Sequence, residues 1–68
     1  MIRLRALELL AEQGKTKYML NKELGMNYGN FKKMVSNETR SLSYDNIENM
    51  CIFFNVTPNE LFEWDFER

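Results

Sequence analysis

The sequence predicts an all-α fold of five short helices, with a small two-stranded ribbon pairing the N- and C-terminal ends. Three observations carry this. Through most of the chain, apolar residues recur three and four positions apart, the period of a helix with one buried face. Residues that start or stop helices fall between those segments: Gly14, Thr16, Gly25, Asn27, Ser43 and Thr57. The two ends instead alternate apolar and charged residues, which is the period of a strand.

Leu4, Leu7, Leu10 and Ala11 give the first helix its apolar face, and Gly14 supplies the left-handed residue that stops it near Gln13. Thr16 caps the second helix, its hydroxyl accepting from an amide two or three residues on. Met19, Leu20 and Leu24 face inward, and Gly25 closes that helix as Gly14 closed the first. Asn27 caps the third, with Phe31, Met34 and Val35 as its apolar stripe, and near Asn37 it yields to the polar loop SNETRSLS. Ser43 caps the fourth, where Ile47, Met50, Cys51 and Phe54 fall at i, i+3, i+4 and i+7. The fifth has the clearest start. Thr57 and Glu60 form a capping box, Pro58 sits where its missing N–H costs nothing, and Val56 can staple onto Leu61.

At the C-terminus, Phe62 to Glu67 alternates apolar and acidic residues, and Met1 to Arg5 alternates too. Paired antiparallel, the ends set Arg3 and Arg5 opposite carboxylates and put Ile2, Leu4, Trp64 and Phe66 on one face. The alternative is a first helix that starts at Ile2 and a tail that frays. The predicted core is Leu20, Leu24, Phe31, Met34, Ile47, Cys51, Phe54 and Leu61.

Sixty-eight residues, 44% of them hydrophobic, make a single globular domain, 1–68. A domain of this size buries only about 60% of its unfolded surface, so modest stability is expected. No run of about 18 apolar residues occurs, and Met1–Arg5 is too short and too charged for a signal peptide, so no membrane span and a cytoplasmic location are expected. Cys51 is the sole cysteine and histidine is absent. That excludes an internal disulfide, a Cys/His metal set and the commonest general base. Cys51 reads as a small core residue, with a redox role as the alternative. The small core leaves little room for a pocket. No enzyme activity, cofactor or small-molecule ligand is expected.

The net charge of −1 hides an asymmetry. Residues 1–40 hold eight basic and four acidic side chains, and residues 41–68 hold one basic and six acidic. One half is suited to a polyanion and the other to facing away from it; the alternative is simply solvated charge.

Two short helices joined by a glycine-containing turn form a helix-turn-helix, here about residues 16–36, with Met26 plugging the turn. Residues 4–62 resemble the Cro and phage-repressor type of helix-turn-helix, also called the xenobiotic-response-element type, found in bacterial and phage regulators. The matching features are the Gly-Lys-Thr entry to the second helix, L-x-x-x-L-G-M, the pair Phe31 and Met34, the loop after Val35 and the ending N-V-T-P-N-E-L-F. One departure is Asn21, four residues before Gly25, where the family usually has a small residue. Asn21 is expected either to spread the two helices or to bond a buried backbone group.

The resemblance implies a phage-repressor-like domain that binds double-stranded DNA as a sequence-specific transcriptional regulator. Its recognition helix, about residues 27–36, would enter the major groove with its N-terminal residues toward base edges. Those residues are Asn27, Tyr28, Gly29, Asn30 and Lys33. Lys33 suits guanine O6 and N7, an Asn suits adenine N6 and N7, and Tyr28 suits a thymine methyl or a phosphate. Gly29, unfavourable in a helix by about 1 kcal/mol, would let the backbone approach DNA. Thr16 and Lys17, at the head of the preceding helix, suit phosphate, as do Lys32, Ser36, Asn37, Thr39 and Arg40. Tyr28 packing on its own domain and Lys32 and Lys33 as a solvated face are the bland alternatives. A homodimer through the C-terminal aromatics Phe53, Phe62, Trp64 and Phe66 is expected. The alternative function is a protein-interaction module on the same fold, such as an antirepressor or antitoxin component.

Overall fold

A computed structural model describes residues 1–39 and 41–64. The order is β1 (Ile2–Leu4), α1 (Ala6–Gln13), α2 (Lys17–Leu24), α3 (Tyr28–Val35), α4 (Tyr44–Phe54), α5 (Pro58–Leu61) and β2 (Phe62–Trp64). The strands pair antiparallel, with Ile2 opposite Trp64, Arg3 opposite Glu63 and Leu4 opposite Phe62. Arg3 and Glu63 form an ion pair across the ribbon, and the Arg5 N–H extends the pairing to the Leu61 carbonyl at 2.9 Å. Asp65, Phe66 and Glu67, which the alternation assigns to the ribbon, lie outside the described residues.

The helix ends follow the predicted chemistry. Thr16 Oγ1 accepts from the Met19 N–H at 3.2 Å and Ser43 Oγ from the Asn46 N–H at 3.1 Å. Glu60 Oε1 accepts from the Thr57 N–H at 3.0 Å, the side-chain half of a capping box. α1 stops at Gly14, which has φ +64°, with the Gly14 and Lys15 amides returning to Ala11 and Leu10. α3 and α4 end with the same pattern but with asparagine in the left-handed position, Asn37 and Asn55. The Asn37 and Glu38 amides return to Met34 and Lys33, and those of Asn55 and Val56 to Ile52 and Cys51. This is the Schellman motif, used three times. α2 ends more simply, with one bond from Gly25 N–H to the Asn21 carbonyl at 2.8 Å.

α4 is the central element, packed against α1, α2 and α5. Leu4, Ala6, Leu9, Leu10, Leu20, Phe31, Met34, Val35, Met50, Phe54 and Leu61 are buried, and no described polar residue is. Five predicted core residues, Leu20, Phe31, Met34, Phe54 and Leu61, lie in this set, whereas Leu24, Ile47 and Cys51 sit partly buried at its edge. The expected face of α1 needs correction. Leu4 is buried from the strand, and the helix begins only at Ala6. Its inner face is therefore Ala6, Leu9 and Leu10, leaving Leu7 39% exposed and Ala11 on the surface. Met19 also points outward.

Arg5 differs from its expected role in the ribbon. It precedes α1 and places its guanidinium against Glu12 at 3.1 Å, Glu8 at 3.6 Å and the Glu60 carbonyl at 2.9 Å. That ties α1 to α5. Gln13 Nε2 and Lys15 Nζ donate to the carbonyls of Phe54 and Phe53 at 2.8 and 2.7 Å. These two side chains satisfy the open C-terminus of α4, where a cation is also favoured by the helix dipole. Among the described residues, no helix is long and apolar enough to cross a membrane.

Candidate nucleic-acid interface

α3 divides cleanly into two faces. Phe31, Met34 and Val35 anchor it in the core. With about 3.6 residues per turn, Gly29, Lys33 and Ser36 lie opposite that stripe, flanked by Asn30 and Lys32. All five are exposed. Lys17, Lys32 and Lys33 make no ion pair among the described residues; the three ion pairs found there use Arg3 and Arg5.

Asn27 heads the helix as its N-cap. Its Oδ1 accepts from the N–H groups of Gly29 at 2.9 Å and Asn30 at 3.3 Å. The side-chain carbonyl is thereby engaged, so a two-bond contact from Asn27 to adenine would break the cap. Asn30 carries no such obligation. Gly29 has a local reason as well as the expected one. A Cβ there would lie 3.2 Å from Asn27 Oδ1, crowding the cap. Tyr28 sits beside the apolar stripe, its ring 6.3 Å from that of Phe31 and inclined at 29°, yet 59% of the residue stays exposed. It packs on its own domain with one side and presents the rest to solvent.

The other expected contacts surround this face. Thr16 uses its oxygen as acceptor for the α2 cap, which leaves the hydroxyl proton to donate; Lys17 follows it, exposed. Thr39 and Asn30 line one shallow depression of about 210 Å³ with Ser41, Ser43 and Asn46, so the loop after α3 lies alongside the helix. Ser36 is exposed at the end of α3. Arg40 lies outside the described residues.

Asn37 departs from its expected phosphate contact. Its Oδ1 accepts from the Leu4 N–H at 2.7 Å and its Nδ2 donates to the Leu4 carbonyl at 3.0 Å, so the amide is committed to β1. The available signal was an asparagine just past a helix end, a favoured left-handed position. Of the two expectations for Asn21, the bond to a buried backbone group is not made by Oδ1, which is buried without a hydrogen-bond partner among the described residues. Sequence reasoning passed over Tyr18, 75% exposed beside Lys17 at the head of α2.

The family model of the Cro/C1-type HTH DNA-binding domain matches residues 7–67. The chain belongs to this family. As a Cro/C1-type HTH domain it binds DNA. A crystal structure of a candidate DNA-binding protein from Bacteroides fragilis shares the fold with a TM-score of 0.79 at 25% identity, covering 93% of this chain and 100% of that one. No curated protein matches the chain.

Proposed function

We propose that this Cro/C1-type domain is a sequence-specific transcriptional regulator of bacterial or phage origin that lays α3 in the major groove of double-stranded DNA. The observation that carries the reading is the exposed face of α3, where Asn30 and Lys33 flank and follow Gly29 on a helix anchored by three buried side chains. Asn30 reads adenine and Lys33 reads guanine, because their hydrogen-bonding atoms match those base edges. Tyr28 reaches a thymine methyl or a neighbouring phosphate. Thr16, Lys17, Lys32, Ser36 and Thr39 hold the backbone, with Arg40 from the same loop. The Asn27 carbonyl orients the helix from within and leaves only its N–H₂ group for a base.

The same reading makes the working unit a homodimer, since one recognition helix covers few base pairs and two half-sites supply the rest. The surface for it is narrower than the four aromatic residues expected. Phe53 carries the Lys15 ammonium 4.5 Å from its ring centre and meets Phe54 edge-on, and Phe62 is partly buried. Trp64, 71% exposed, and Ile2 beside it on the ribbon remain. Phe66 lies outside the described residues.

Selection of bound duplexes from a random DNA pool tests this. Enrichment of one half-site, repeated as an inverted pair, is the expected result. A pool that stays random after selection contradicts sequence-specific reading.

A further inference from the structure

Asn37 occupies an unusual place. It is the left-handed residue that ends α3, and its side-chain amide also behaves as a short piece of extra strand against β1, meeting both backbone groups of Leu4. The closest helix packing in the domain is between α4 and α1, α2 and α5. α3 is held by Phe31, Met34 and Val35. The surface at its C-terminal end is indented. A cavity of about 260 Å³ opens there, lined among others by Ile2, Leu4, Met34, Leu42 and Phe62. Asn37 lines this opening too, and its paired bonds tie the end of α3 to the ribbon.

We propose that Asn37 is a positioning residue for DNA reading: by pairing with both backbone groups of Leu4 it fixes the C-terminal end of α3 to the ribbon, and so sets the angle at which Asn30 and Lys33 meet the bases. Asn37 touches no base itself. The ribbon, remote from the N-terminal end of α3, becomes the brace of the recognition helix. This rests on the reading of α3 as the recognition helix.

The test uses the full chain with Asn37→Gly and Asn37→Asp. Glycine is the preferred residue at a left-handed helix end, so Asn37→Gly keeps the backbone and deletes both bonds. Asn37→Asp keeps an acceptor for the Leu4 N–H and loses the donor to the Leu4 carbonyl. Affinities for the selected duplex and for a scrambled duplex are compared with wild type, well below the melting temperature. Loss of one well-aligned base contact is a fall of roughly 10-fold for the selected duplex. That fall is expected in Asn37→Gly, with scrambled-duplex affinity unchanged. Asn37→Asp, which sets a carboxylate oxygen against the Leu4 carbonyl, is expected to lose at least as much for the selected duplex. Equal loss on both duplexes makes Asn37 a backbone contact and overturns the proposal. Unchanged affinity in a folded Asn37→Gly, or failure of both variants to fold, also overturns it. If wild type shows no preference for any duplex, the reading of α3 itself fails instead.

Discussion

Lys17 and Lys33 are both exposed lysines, yet the proposed function gives them different work. Lys33 faces outward from the middle of α3, and Lys17 opens α2 beside the Thr16 cap. Lys33→Ala is expected to weaken binding to the selected site by about 1–3 kcal/mol and to relax preference at one base pair. Lys17→Ala is expected to weaken all duplexes alike and to reduce the salt slope by about 1. A panel of operator variants separates the two; identical profiles would refute the division. Asn21 is a second test. Its buried Oδ1, without a partner among the described residues, carries a desolvation cost, and Asn21→Ala removes that oxygen and improves helix propensity. A gain of about 1 kcal/mol in urea unfolding is expected, and a loss would show that the amide has a compensating partner. For Cys51, burial pushes the thiol pKa above its ordinary value. The fold thus favours the protonated thiol. The associated stability is complete below the unfolded thiol's pKa and is lost as pH rises through the folded one. Unfolding measured against pH should show this alkaline decline shrink in Cys51→Ala; an identical decline would assign it to other groups. Caps could be read at this level because they are local: Thr16, Asn27 and Ser43 act on amides two or three residues away. Asn37 and Lys15 could not, since their partners Leu4 and Phe53 lie 33 and 38 positions away.

The helices were readable for the same reason, apart from the inner face of α1 and Met19 of α2. In α1 the pattern was misassigned because Leu4, buried from a strand, mimics a helix position preceding Leu7. Only the pairing of Ile2 with Trp64 and Leu4 with Phe62 decides that α1 starts later and turns Leu9 inward. The exposed face of α3 could be read because the helix is strongly two-sided, and the stripe of Phe31, Met34 and Val35 fixes what must point away. That stripe also bears the stability of the element. Phe31 and Phe54 are fully buried large side chains from α3 and α4. Truncating either to Ala is expected to cost about 3–5 kcal/mol, a large part of the ~5–15 kcal/mol that holds a typical small domain. Thermal unfolding followed by circular dichroism checks this, and a Phe54→Ala chain as stable as wild type would contradict the packing described.

The charge asymmetry of the chain is resolved unevenly by the fold. Arg3, Arg5 and Lys15 belong to its basic half but serve the structure, through Glu63, through Glu8 and Glu12, and through the Phe53 carbonyl. Besides Arg40, the remainder lies on α2 and α3, where Lys17, Lys22, Lys32 and Lys33 stand against Glu23 alone. Ile2 and Trp64 lie at the ribbon, the site proposed for a second copy. Sedimentation at micromolar concentration is expected to show a dimer that Trp64→Ala weakens; a monomer that binds one half-site as tightly as an inverted pair would rule it out. The most direct measurement is the affinity for the selected duplex as a function of salt. With two or three basic side chains per copy on phosphates, counterion release gives a log–log slope of about −2 to −3 for one copy and twice that for two. Affinity that does not change with salt, or no affinity for duplex DNA at low salt, would contradict the interface and leave the same exposed face of α3 to a protein partner.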